Sequence, residues 1–335
     1  MAREDRLRLI RELEEARGSR VLVAFWGDRL NHQTIIASDA HAVFFQHLEQ
    51  IGNVPKIDVY LYTAGGQTLA AWGLANLIRE YCEQLGVLIP HRALSAGTLF
   101  TLAANEIVMT RLGQLSPIDP SVNSPLGPTV QTPLGQSQVV PISVEDVAGF
   151  LDLARNEAQL KEERSILAVF DRLSTQVHPL ALGAVYRSRE QITTLADRLL
   201  AFHNDDQEER DRIVTRLTRQ LGSHDYLIGR TEAKNTLRLN VLDPEAEIET
   251  RMSSLFQEYS TLLELGTPYN PDGYLGADNQ KVGTFSRAVV ETTDQTHVFQ
   301  TTKDIARIQV QQGPAIVAGV QERVSFEGWR AHQTV

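Results

Sequence analysis

Three short β-like runs, residues 21–25 (VLVAF), 57–62 (IDVYLY) and 87–91 (VLIPH), alternate with stretches of helical periodicity, and this alternation constrains the fold more than any other feature. Strands separated by helices build a largely parallel sheet with helices packed on its faces. The pattern therefore predicts an α/β domain. Leu7, Ile10 and Leu13 mark a first helix that stops at Gly18, Ser38 or Asp39 caps a second through Ile51, and residues 67–85 read as a third. Gly65-Gly66 break the second strand sharply, and a helix from about Ala96 leads to a strand at 107–109.

Residues 113–141 differ in kind. They hold Pro117, Pro120, Pro125, Pro128, Pro133 and Pro141, so neither a helix nor a central strand runs through them. Helical patterning returns over 144–156, 160–177 and 188–202, and a second break spans 266–283. Beyond it RAVVET and THVFQTT read as strands of a small β-rich extension. The expected organisation is a helix over 1–20, a main domain over 21–265 and the extension over 266–335.

The 335 residues carry 32 Lys and Arg against 42 Asp and Glu, a net charge of −10 that attracts neither nucleic acid nor anionic lipid. The N-terminus lacks the apolar run of a signal peptide, and no window reaches the roughly 18 apolar residues that span a bilayer. A lone Cys82 excludes an internal disulfide and a cysteine-rich zinc site. The acidic run HNDDQEERD at 203–211 lacks ligand spacing and reads as solvated. These features predict a soluble cytoplasmic chain without metal, cofactor or membrane insertion. Trp26, Trp72 and Trp329 read as core or interface residues.

Ser95 sits where the third strand turns into a helix, and it has two readings. Serine is a preferred helix cap. It is also the nucleophile of acyl-transfer sites, where the amide of the next residue, here Ala96, helps to bind the developing oxyanion. Gly65-Gly66, at the end of the preceding strand, offer side-chain-free amides for the second donor.

YLYTAGG, followed by Ser95 in LSAGTLFTLAANEIVM, resembles the Clp protease proteolytic subunit and the Clp/crotonase-fold serine peptidases that include signal peptide peptidase A. The closer resemblance is to the serine dehydrogenase proteinase family, through Ser95 to Thr98, the strand ending at Met109, SPIDP at 116–120 and HDY at 224–226 with Glu232-Ala233. It covers roughly residues 15–242. It implies a Clp/crotonase-like spiral of ββα units, self-association into homo-oligomers and peptide-bond hydrolysis through an acyl-enzyme. By this resemblance Ser95 is the nucleophile, Gly66 and Ala96 are oxyanion donors, and Asp225 matches an aspartate before the EA helix. A peptide or protein substrate then lies along 63–67, against Thr63, Gly65 and Gln67, by strand addition.

The base is the departure: no histidine lies between His91 and His178. His224 ranks first and His178 second, with Lys161, Asp119 and His91 as further candidates. His178 precedes Pro179, where a cap is its alternative role. Two rival functions stand beside the peptidase: an inactive oligomeric scaffold of the same fold, and a crotonase-type acyl-CoA enzyme. Against the latter, residues 57–110 offer only Arg79 and Arg92 to a phosphate-bearing coenzyme. An ATP-dependent unfoldase or adaptor would be a separate chain, since there is no GxxxxGK[ST] loop.

Overall fold

The computed structural model describes residues 3–118, 121–122, 124–131, 137–221, 223, 225–312 and 315–331. It divides into two compact units, residues 1–115 with 228–335 and residues 116–227. The first opens with α1 (Arg3–Arg17), β1 (Arg20–Trp26), α2 (Ala40–Ile51), β2 (Val54–Tyr62), α3 (Thr68–Arg79), β3 (Cys82–Ile89), α4 (Ala96–Thr101) and β4 (Glu106–Met109). The alternation read from the sequence is this order, and the expected α/β class is the one observed.

The strands β1, β2, β3 and β4 lie parallel in that order, and Val241–Leu242 adds a parallel strand beyond β4. Six successive residues of β1 and the last six of β2 are buried, as in a sheet covered on both faces. One face packs Leu7, Ile10 and Leu13 of α1 with Met252, Leu255 and Tyr259 of the helix Ala246–Leu262. At the sheet's starting edge Arg17 pairs with Asp58 at 3.0 Å and also with Glu106, which Lys56 reaches at 2.6 Å.

The helix expected over 67–85 ends earlier, at Arg79, and β3 begins at Cys82. Cys82, Gln84 and Leu85 pair with Val54, Lys56 and Ile57, so the ladder wins over local helical periodicity there. The β-rich extension does not stand apart. Strand Gln280–Glu291 pairs antiparallel with β1, from Val23 against Glu291 to Trp26 against Ala288, and strands Thr296–Gln312 and Ala315–Ala331 follow. All belong to one eight-stranded sheet.

The second unit carries helices Val144–Asp152, Glu163–Gln176, Pro179–Leu200 and Gln207–Thr215. Ile142, Val144, Ala181 and Val185 form a small core within it. Among the described residues its proline-rich part holds two- and three-residue ladders, Ser121–Val122 with Ile142–Ser143 and Thr129–Gln131 with Ser137–Val139. Among the described residues no helix is long and apolar enough to cross a membrane.

Candidate active site

Ser95 takes φ 51° and ψ −111°, and the amide of Gly97 donates to the carbonyl of Leu94 at 2.8 Å. These are the first-corner angles and the closing bond of a type II′ turn, a corner normally taken by glycine. A serine there costs on the order of 1 kcal/mol or more, so its surroundings must hold it. They do: α4 is buried along its whole length, Thr98 Oγ1 donates to the Ala93 carbonyl at 2.9 Å, and Leu99 N donates to the Ser95 carbonyl at 3.0 Å. Ser95 precedes α4 yet its side chain makes no capping bond to that helix. Capping, the simpler of the two readings, does not account for this serine.

The end of β2 comes up beside this turn. A Cβ built on Gly65 would lie 3.0 Å from the Ser95 Cβ and 3.5 Å from its Oγ. Gly66 bridges Ile36 in parallel register, with Ile36 N donating to the Gly65 carbonyl at 2.9 Å and Gln67 N to the Ile36 carbonyl at 2.8 Å. In such a bridge the central residue turns its own N–H to the opposite edge. The Gly66 amide therefore faces away from Ile36, on the side of β2 where β3 and the Ser95 turn follow. A side chain at 66 would strike Ile36, at 2.3 Å from its carbonyl oxygen, which explains the glycine. Among the described residues neither the Gly66 nor the Ala96 amide donates to a backbone carbonyl.

Thr63 is an interior residue. Its side chain is fully buried, its amide donates to the Arg92 carbonyl at 3.0 Å, and its own carbonyl accepts from Leu94 N at 3.1 Å. Gly65 N donates to Thr63 Oγ1 at 2.9 Å, and Gln67 N is held by Ile36. Along 63–67 the backbone groups of Thr63 and Gly65 and the Gln67 amide are engaged inside the protein, so they are not open to an added strand.

The candidate bases fall out differently. His224 and Asp119 lie outside the described residues. His178 is the N-cap of Pro179–Leu200, its Nδ1 accepting from Leu180 N at 3.2 Å, so it fills the capping role. Asp225 is exposed, its amide donating to Ser223 Oγ at 3.2 Å, and Lys161 is exposed as well. His178, Asp225 and Lys161 all belong to the second unit, whereas Ser95 is in the first. His91 packs edge-on against Phe256 at 5.5 Å and beside Tyr62 at 5.9 Å, and burial followed by the Arg92 charge lowers its pKa. Its ring contacts are those of a packing histidine.

Two supports escaped the sequence reading. Asp28 accepts from Tyr62 Oη at 2.7 Å and pairs with Arg92 at 2.9 Å, bracing the segment that enters Ser95. Ile36 holds both sides of Gly66 through backbone groups alone. Neither has a local signal: the side-chain partners of Asp28 are distant in sequence, and the backbone pairing of Ile36 is indifferent to side-chain type. Among the described residues no cluster of three metal-ligating side chains occurs.

Residues 1–146 match the model of a family described as ClpP-like SDH-type serine proteinases. Two proteins of Methanocaldococcus jannaschii, both described only as uncharacterized, are 34% and 32% identical over 128 residues, which is 35% of this chain and 42% and 43% of theirs. The matched stretch thus spans less than half the length of those relatives. A solved structure of the 1510-N membrane-bound stomatin-specific protease, a serine-to-alanine variant, overlaps 65% of this chain and 80% of its own, with 15% identity and a TM-score of 0.39. A lysine-to-alanine variant of that protease with a substrate peptide overlaps 64% and 74%, with 16% identity and a TM-score of 0.37. Over residues 1–146, the stretch that carries Gly66, Ser95 and Ala96, the chain is recognised as similar to the ClpP-like SDH-type serine proteinases.

Proposed function

We propose that the chain hydrolyses peptide bonds through an acyl-enzyme on Ser95. The hydroxyl adds to the scissile carbonyl, the amine leaves, and water releases the acyl group. The amides of Gly66 and Ala96 bind the oxyanion, a contribution that typically amounts to about 10²–10³ in rate per donor. The observation that carries this reading is the strained turn at Ser95, packed against Gly65, with a hydroxyl that does not cap the helix it precedes. Strain held in place by a buried surrounding belongs to working sites more than to caps.

For the base that takes the proton from Ser95, His224 ranks first and His178, whose Nδ1 accepts a helix amide, second. Peptide or unfolded protein is the substrate class, and homo-oligomerisation follows from the family likeness. The test is reaction with a fluorophosphonate probe, with Ser95→Ala, His224→Ala and His178→Ala alongside wild type. Labelling is expected to vanish in Ser95→Ala, to fall at least tenfold in His224→Ala and to persist in His178→Ala. Absence of Ser95-dependent labelling, where a control peptidase is labelled, overturns the proposal in favour of a non-catalytic oligomeric scaffold.

A further inference from the structure

The Thr63 side chain touches the neighbours of both proposed oxyanion donors, Gly65 before Gly66 and Gly97 after Ala96. Its Oγ1 accepts from Gly65 N at 2.9 Å and donates to the Gly65 carbonyl at 3.2 Å. That hydroxyl satisfies both polar groups of the residue before Gly66. Its methyl carbon Cγ2 occupies the space where Gly97 would carry a Cβ, 2.4 Å from the ideal position. Gly97 follows Ala96, the other proposed donor. Meanwhile the backbone of Thr63 is bonded to Arg92 and Leu94, the residues that lead into Ser95.

We propose that Thr63 is a positioning residue that fixes the separation and aim of the Gly66 and Ala96 amides. This inference rests on the peptidase reading above. The side chain is fully buried and touches no reacting group, so its effect passes through Gly65 and Gly97. Two properties of threonine contribute, and the hydroxyl is the decisive one. A hydroxyl holds a glycine whose φ of 118° would otherwise be one of many accessible values, and a methyl abuts Gly97. Serine supplies only the first and valine only the second. Loss of the hydroxyl also leaves the Gly65 amide without its acceptor inside the protein.

The experiment compares wild type, Thr63→Val and Thr63→Ser by fluorophosphonate labelling rate and by amide exchange over residues 64–67. Valine keeps shape and volume while removing the hydroxyl. Thr63→Val is expected to label at least tenfold more slowly at saturating probe, with little change in probe affinity, and to exchange faster over 64–67. Thr63→Ser is expected to stay within severalfold of wild type in both readouts. A folded Thr63→Val that labels at the wild-type rate, or that leaves exchange over 64–67 unchanged, overturns the proposal. Failure of the peptidase reading is distinguishable, because wild type itself then shows no Ser95-dependent labelling, while the exchange comparison still decides whether the Thr63 hydroxyl fixes Gly65.

Discussion

Gly65 and Ser95 meet with no room for a side chain between them: a Cβ on Gly65 would stand 3.0 Å from the Ser95 Cβ and 3.1 Å from the Leu94 carbonyl oxygen. Gly65 also lies at φ 118°, where L side chains are strained. Gly65→Ala is therefore expected to displace the Ser95 turn and cut fluorophosphonate labelling at least tenfold, with a stability loss of about 1–3 kcal/mol. Gly18→Ala is the control. Gly18 has φ 58° with nothing within 4 Å, so it carries the backbone cost alone and should leave labelling intact.

The turn angles at Ser95 set stability against activity. Ser95→Ala and Ser95→Gly both remove the hydroxyl, but only glycine is at ease at φ 51° and ψ −111°. Denaturant unfolding should find Ser95→Gly more stable than Ser95→Ala by about 1 kcal/mol. Neither variant should react with the probe. Equal stability of the two would mean that the turn relaxes when the hydroxyl is gone.

A buried ion pair ties α1 to the extension's first strand. Arg6 Nε donates to Glu291 at 2.8 Å and Nη2 at 3.1 Å, and the same carboxylate accepts from Tyr259 Oη at 2.5 Å and Thr296 Oγ1 at 2.6 Å. Glu291 is fully buried and Arg6 only 6% exposed. Arg6→Met leaves the buried carboxylate with only the longer pair to Arg3 at 3.7 Å, for an expected loss of up to about 3–5 kcal/mol in chemical denaturation. A loss below about 1 kcal/mol would show that water reaches Glu291.

Buried neutral histidines make the fold acid-sensitive. His47 Nε2 and His297 Nδ1 share a hydrogen bond at 3.0 Å, and burial followed by the neighbouring His297 charge pushes the His47 pKa down to about 3. His32, stacked on Tyr269 at 4.4 Å, is likewise pushed down to about 3, by burial first and then by Arg287, Lys303 and Arg29. Both start from an ordinary value of 6.5. Between pH 6.5 and about 3 the unfolded chain binds protons that the folded chain refuses. Stability is thus complete above the upper limit and falls as pH drops, by roughly 1.4 kcal/mol per pH unit for each histidine. Urea unfolding at pH 7.5, 5.5 and 4.5 measures the slope, and His32→Phe should flatten it.

The sequence by itself determined the alternation of β1 to β4 with their helices, the break at Gly65-Gly66 and the position of Ser95 at a strand-to-helix turn. These are local properties, set by periodicity, β-branching and glycine. Strand Ala315–Ala331 escaped, because an outer strand exposes both faces over much of its length and shows no clean alternation. Tertiary structure alone decided that Ser95 does not cap α4, that Thr63 is interior and that the C-terminal strands extend the sheet at β1. Which way the Gly66 amide points depends on its pairing with Ile36, a partner 30 residues earlier. Hydrogen bonding between backbones does not read side chains, so no local pattern could announce which edge of β2 would remain open beside Ser95.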